Sequence, residues 1–374
     1  MSSPSSEITI PANLLPADGR FCCGPSKVRP DAVEALAKAS STFLGTSHRQ
    51  AGVRFMVAAL RNGLAELLSL PDGYEIALGN GGTTAFWDAA TFGLISRRSQ
   101  HLSFGEFSSK FATCVAAAPH LDDPEVIKAE PGSAPVAVAS EGIDAYCLTH
   151  NETSTGVATS LQRPAGAEGL VLVDATSGAG GLRFDPAEVD VYYFAPQKGL
   201  ASDGGLWLAA LSPAAIERIE QIAASGRWTP AFLDLSLALD NSRKDQTYNT
   251  PALATIFLAQ QQVAWILEQG GLPWAAARCE RSAEILYGWA ESRDYATPFV
   301  TDPALRSTVV ATIDLDDAVP ATTVSKVLRA NGVLDTESYR KLGRNQLRIA
   351  MFPAIDPTDV EALTHCIDHI VERL

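Results

Sequence analysis

Three apolar runs in the middle of this chain each end on residues able to do chemistry. Residues 145–149 lead into His150-Asn151-Glu152-Thr153, residues 170–173 lead into Asp174, and residues 189–194 lead into Ala195-Pro196-Gln197-Lys198. A further run, 206–211, follows a Gly-rich stretch. Helical patterns separate or flank these runs. Residues 30–40 are Ala-rich, and 53–68 place Leu60, Leu64, Leu67 and Leu68 on one face. A short strand over 74–78 is broken by Gly79-Asn80-Gly81-Gly82, and a helix resumes over 83–95. Two more helices are predicted over 213–224 and 251–268, the second with Pro251 at its first position and Thr250 as its cap. Strands that alternate with helices call for an α/β fold built on a largely parallel sheet.

At 374 residues the chain is long enough for one large and one small domain. Gly270-Gly271-Leu272-Pro273 is the predicted boundary. It divides a large domain, 26–270, from a small α+β domain, 271–374, with an N-terminal arm, 1–25, packed on the latter. The formal net charge of −14 argues against nucleic acid and anionic membranes as partners. No apolar run is long enough to span a bilayer, and Met1-Ser2-Ser3-Pro4 opens neither a basic nor an apolar signal region. The six cysteines are scattered without metal spacing, so reduced thiols in a cytoplasmic protein are expected, with no metal.

Lys198 is one of only eight lysines, and most of the others fall in segments that read as solvated. Burial disfavours an ammonium ion, so an amine where a buried strand meets a Gly-rich loop is suited to nucleophilic work near neutral pH. Asp174 ends the neighbouring run, where open α/β sheets place their ligands. Alone it reads equally as a turn or cap residue. Paired with Lys198 it gives a Schiff-base lysine and a carboxylate for a pyridinium nitrogen, the pair pyridoxal phosphate needs. Gly81-Gly82-Thr83-Thr84 joins a strand to a helix start, which caps the helix or binds a phosphate. Arg348, flanked by Leu347 and Ile349, is shaped to grip a carboxylate. His48, Arg49, Arg340, Lys341 and Arg344 are further cations, with surface ion pairing as the alternative for the last three.

Taken together, these segments resemble the phosphoserine aminotransferases, in particular their actinobacterial branch, within the fold-type I family of pyridoxal-phosphate enzymes. The resemblance runs nearly end to end. It is carried by Phe21-Cys22-Cys23-Gly24-Pro25, Thr46-Ser47-His48-Arg49, Gly81-Gly82-Thr83-Thr84, His150-Asn151-Glu152-Thr153, Asp174-Ala175-Thr176-Ser177, Ala195-Pro196-Gln197-Lys198, Gln246-Thr247-Tyr248-Asn249-Thr250-Pro251 and Leu347-Arg348-Ile349-Ala350-Met351-Phe352.

The resemblance implies a mostly parallel seven-stranded sheet sandwiched by helices, and a homodimer with shared active sites. It implies that Lys198 bonds to the cofactor, Asp174 pairs with its ring nitrogen, Thr153 with its phenolic oxygen, and Phe107 stacks on its ring. Thr83, Thr84 and Gln197 would hold the cofactor phosphate, and Asn249 and Thr250 that of the other subunit. Arg348 would clamp the substrate α-carboxylate. His48 and Arg49 would take the distal anion, with Lys341 or Arg344 assisting. The implied reaction moves the amino group of L-glutamate to 3-phosphohydroxypyruvate in serine biosynthesis, with pyridoxine biosynthesis as a second setting. Two departures stand out: Phe107 replaces a Trp of the better-known branch, and Tyr339-Arg340-Lys341 replaces its His-Arg pair. The competing readings are another fold-type I enzyme (a glyoxylate-type aminotransferase or a cysteine desulfurase) and a cofactor-binding regulator without catalysis.

Overall fold

The computed structural model describes residues 8–374; the first seven residues of the expected arm lie outside them. In chain order the elements are α1 (Pro30–Phe43), α2 (Ala51–Leu67), β1 (Glu75–Asn80), α3 (Gly82–Gly93), β2 (Ser99–Ser103), α4 (Glu106–Ala116), β3 (Glu125–Lys128), β4 (Ala145–Thr149), β5 (Asn151–Glu152), β6 (Val157–Ala158), β7 (Leu170–Asp174), β8 (Val191–Phe194) and β9 (Leu206–Leu211). Then come α5 (Pro213–Ala224), α6 (Leu235–Ser242), α7 (Leu253–Gln269), α8 (Gly271–Glu291), β10 (Ala296–Pro298), β11 (Val310–Leu315), α9 (Ala321–Ala330), β12 (Gln346–Ala350) and α10 (Pro357–Val371).

Seven strands form one sheet in the order β1-β9-β8-β7-β4-β2-β3. From β3 across to β8 every pairing is parallel, and β9 runs antiparallel to both its neighbours. The expected mostly parallel sheet is thus present, with β9 as the reversed strand. Successive side chains of a strand point to opposite faces. On β7, Val171 and Val173 join the core shared with α2 and α7, while Leu170 and Leu172 join the core under α3, α4 and α5. Both faces are covered by helices, which is why these strands read as unbroken apolar runs.

Two local expectations need correcting. Strand β1 does not stop at Leu78: it continues through Gly79 and Asn80, paired with Trp207 and Leu206. Gly79 is there for space, since a Cβ would lie 2.3 Å from the Trp207 ring. The turn itself falls at Gly81, at φ 108°. Helix α7 starts two residues later than predicted, and Thr250 does not cap it. Asn80 Nδ2 donates to the carbonyls of Asn249 and Thr250, at 3.3 and 3.2 Å, and holds that loop extended. The first helical acceptor is therefore the Ala252 carbonyl, which takes the Ile256 N–H at 3.1 Å.

A second, three-stranded antiparallel sheet, β10-β11-β12, packs with α8, α9 and α10 around its own core. Phe21 and Cys23 belong to that core. The Phe21 N–H donates to Leu334 O, and its carbonyl accepts from the Ala350 N–H. No linker follows Gly270. Helix α8 begins at once, with Leu272 and Ala275 in the large-sheet core and Cys279, Ala283 and Leu286 in the small-sheet core.

Candidate active site

The carboxyl ends of β4, β7 and β8 open on one cavity of about 470 Å³. This is the end of a parallel sheet at which ligands bind. Thr153, Asp174, Gln197, Lys198, Thr83 and Phe107 all line it.

Lys198 is 7% exposed. Its Nζ donates to Thr153 Oγ1 at 3.1 Å and lies 5.2 Å from the centre of the Phe107 ring. Burial lowers the amine's proton affinity, and the Asp174 carboxylate is the largest influence opposing it. Gly24, at φ 147°, explains the glycine of the Phe-Cys-Cys-Gly-Pro segment, because a Cβ there would meet Lys198 Cε at 2.7 Å.

Asp174 is 6% exposed. Its Oδ1 accepts from the Thr176 N–H at 2.9 Å and from the Thr176 hydroxyl at 2.6 Å. Its Oδ2 accepts from Trp87 Nε1 at 3.1 Å. Burial raises this carboxyl above its ordinary value, and these three donors pull it back toward ionisation. Neither Trp87 nor Thr176 is expected from sequence as a partner of Asp174. Trp87 follows Thr83 by four positions on α3, so helical spacing alone puts both on one face.

The start of α3 also borders the cavity. Gly81 and Gly82 both have positive φ, at 108° and 75°, and no side chain caps α3. The uncapped N–H groups and the positive end of the helix macrodipole therefore face the cavity beside Thr83, Thr84 and Gln197. Three buried polar atoms at or near the site have no partner among the described residues: Asn151 Oδ1, Gln197 Oε1 and Arg348 Nε. Buried polar atoms are normally paired. An uncapped helix start, a buried amine and a buried carboxylate around one cavity fit pyridoxal phosphate.

Arg348, on β12, does not itself line the cavity but touches its wall from the small sheet, at Thr153. Its Nη1 donates to Thr153 O at 3.3 Å, and its guanidinium lies 5.3 Å from the Tyr339 ring. Tyr339 in turn lies 6.0 Å from Phe107. Lys341 is paired with Glu106 at 2.5 Å on the exposed surface nearby. Arg344 is paired with Asp314 and stacks at 4.6 Å on Phe299, and it does not line the cavity.

His48, Arg49, Asn249 and Thr250 do not line the cavity either. They gather at a separate, largely exposed patch. His48 Nδ1 lies 3.3 Å from Thr250 Oγ1, Arg49 donates to Gln246, and Asn80 Nδ2 donates to Asn249 Oδ1 at 2.8 Å. Asn80 directly precedes Gly81, so the patch borders the turn before α3.

A buried amine and a buried carboxylate lining one cavity at this end of the sheet suit a pyridoxal-phosphate enzyme, and the chain belongs to the aminotransferase class-V family, whose sequence profile matches residues 131–336. Its relatives narrow the group. The chain is 62% identical to a phosphoserine aminotransferase of Nocardioides sp., over 98% of this chain and 99% of the relative. A solved phosphoserine aminotransferase from Cytophaga hutchinsonii has the same fold, at a TM-score of 0.86 and 24% identity, covering 93% of this chain and 97% of that one. So does a PLP-bound phosphoserine aminotransferase from Trichomonas vaginalis, at a TM-score of 0.78 and 19% identity, covering 94% of this chain and 99% of that one.

Proposed function

We propose that this chain is a pyridoxal-phosphate-dependent phosphoserine transaminase, which moves the amino group of L-glutamate to 3-phosphohydroxypyruvate and yields O-phospho-L-serine and 2-oxoglutarate in serine biosynthesis. The observation that carries this reading is the buried Lys198 amine and the buried Asp174 carboxylate lining one cavity, with Arg348 bonded to the Thr153 carbonyl in its wall. Family membership and the 62% identical relative support the substrate pair.

Bound pyridoxal phosphate supplies an aldehyde that exchanges amines and a protonated ring that draws electrons from the substrate Cα. Lys198 would hold the cofactor through its aldehyde. Its lowered proton affinity would leave Nζ, once displaced by the substrate amine, free to accept the Cα proton and deliver it to the former aldehyde carbon, across the shared nitrogen. Asp174, held by Trp87 and Thr176, would keep the proton on the ring nitrogen. Thr153 would meet the phenolic oxygen, and Phe107 would pack on the ring face. Thr83, Thr84 and Gln197 would hold the cofactor phosphate.

Arg348 grips the α-carboxylate common to both substrates, which its unpartnered Nε and forked geometry favour. Lys341 and Arg344 are both ion-paired, but the partner of Lys341, Glu106, adjoins Phe107 in the cavity wall, whereas Arg344 pairs with Asp314 and stacks on Phe299, so Lys341 is the better placed of these two to meet the distal anion. His48, Arg49, Asn249 and Thr250 serve the second active site of a homodimer. Their clustering on an exposed patch, away from the Lys198 cavity, supports that assignment. Among the described residues no helix is long and apolar enough to cross a membrane, and we place the enzyme in the cytoplasm.

The test is spectroscopic. Glutamate should bleach the visible band of the purified holoprotein, and 3-phosphohydroxypyruvate should restore it faster than glyoxylate or the related phosphorylated acid of vitamin B6 synthesis. Restoration by glyoxylate alone would point to the glyoxylate-type enzymes, and a band that ignores glutamate would point to a regulator.

A further inference from the structure

We propose that Glu152 is a positioning residue: its buried carboxylate holds the first turn of α4 and thereby fixes Phe107 against the Lys198 cavity. The inference rests on the reading above, in which Phe107 packs on the cofactor ring.

Helix α4 has Gly105 at its N-cap and no capping side chain of its own. Its first N–H groups must find acceptors elsewhere. The Glu106 N–H donates to Ser154 Oγ at 3.0 Å, and the Phe107 and Ser108 N–H groups donate to Glu152 Oε2 at 3.1 and 2.8 Å. The other carboxylate oxygen, Oε1, accepts from the Ser154 N–H at 3.1 Å and from the Ser154 hydroxyl at 2.7 Å. Each oxygen thus takes two donors, an arrangement a carboxylate satisfies in full. Its charge also lies at the positive end of the helix macrodipole.

Glu152 is 0% exposed. The glycine at 105 follows from this placement, because a Cβ there would lie 2.3 Å from Glu152 Cγ and 2.4 Å from Cδ. A local Ser or Asp cap at 105 is therefore sterically excluded, and the helix is anchored across 45 residues of sequence instead. Phe107 is the second residue of α4, so its ring goes where that first turn goes. Glu152 also lies between Asn151 and Thr153 in the chain. One side chain therefore ties the wall that carries the Thr153 hydroxyl to the wall that carries the aromatic ring.

Glu152→Gln keeps the shape and removes the fit. Whichever way the amide is turned, its NH2 faces at least one backbone N–H. The experiment measures the dissociation constant for pyridoxal phosphate, and the visible circular dichroism of the bound chromophore, in four full-length proteins: the parent, Glu152→Gln, Phe107→Ala and the double variant. Glu152→Gln is expected to weaken binding about tenfold. The double variant is expected to bind within about twofold of Phe107→Ala alone. The dichroism band should shrink in Glu152→Gln and change no further in the double variant.

Independent losses that multiply in the double variant, or parent-like binding by Glu152→Gln, would overturn the inference. Parent-like binding by Phe107→Ala would instead remove the stacking role on which it rests. Should Glu152→Gln fail to fold, Ser154→Ala replaces it, since that change removes one donor to Oε1 and the acceptor for Glu106, with about a threefold loss expected under the same coupling rule.

Discussion

Trp87→Phe tests how the Asp174 carboxylate, proposed to face the cofactor ring, is tuned. Trp87 is 5% exposed, lines the cavity and donates its indole N–H to Asp174 Oδ2 at 3.1 Å. Phenylalanine keeps an aromatic ring near Phe111, 6.3 Å away at an interplanar angle of 15°, but has no donor. A hydrogen bond to a charged group contributes about 1.5–3 kcal/mol. If Asp174 holds the protonated ring as proposed, losing this bond should weaken cofactor binding about tenfold to a hundredfold. The assay is absorbance titration of the apoprotein with pyridoxal phosphate, with thermal unfolding of the apoprotein run alongside.

The pH dependence has a definite sign. Burial raises the Asp174 carboxyl from 3.8, and loss of the indole donor raises it further. A folded-state value above the unfolded one gives stability that is full below the unfolded value and is lost as the pH climbs through the folded value. The gap in Tm between the parent and Trp87→Phe apoproteins should therefore widen as the pH climbs through the parent's folded value, which lies above 3.8, and level off above the variant's. A dissociation constant within twofold of the parent, together with a Tm gap that ignores pH, would refute this account of Asp174.

Lys198→Ala should still bind cofactor but resist its fixation by borohydride and show no turnover; fixation at the parent level would relocate the covalent link. Arg348→Ala should raise KM for glutamate and for 3-phosphohydroxypyruvate alike, by about tenfold to a hundredfold for a lost charged contact. An effect on one substrate only would break the shared-clamp argument. Lys341→Ala should raise KM for the phosphorylated acid, whereas Arg344→Ala should leave steady-state kinetics within about twofold and cost under about 1 kcal/mol of stability, because its ion pair is exposed. The reverse pattern would reassign the distal-anion contact.

Asp174 is legible in the sequence because it ends a run that both faces of a sheet bury, and Lys198 because it follows such a run by four residues; the carboxyl ends of parallel strands form the ligand side. Arg348 was legible because a guanidinium between Leu347 and Ile349 has few places to go. Glu152 was not, since its partners are backbone N–H groups on a helix that no local cap announces. The Thr250 cap was misjudged for a related reason: the residue that overrides it, Asn80, lies 170 positions away. Gly79 was taken for a turn when the bulk of Trp207 on the adjacent strand sets its identity. Local propensity is visible along a chain, but competition from a distant donor is not.

The segment around Phe21 to Ser26 has a consequence for handling the protein. It is stitched to Leu334 and Ala350 at one end, while at the other Gly24 abuts Lys198 Cε and the Ser26 N–H donates to Gln197 O at 2.7 Å. This leader strap buckles the small sheet to the wall of the lysine pocket. Trimming the chain past Arg20 would therefore unfasten the reactive amine, so an N-terminal truncation made for solubility would register first as lost chromophore.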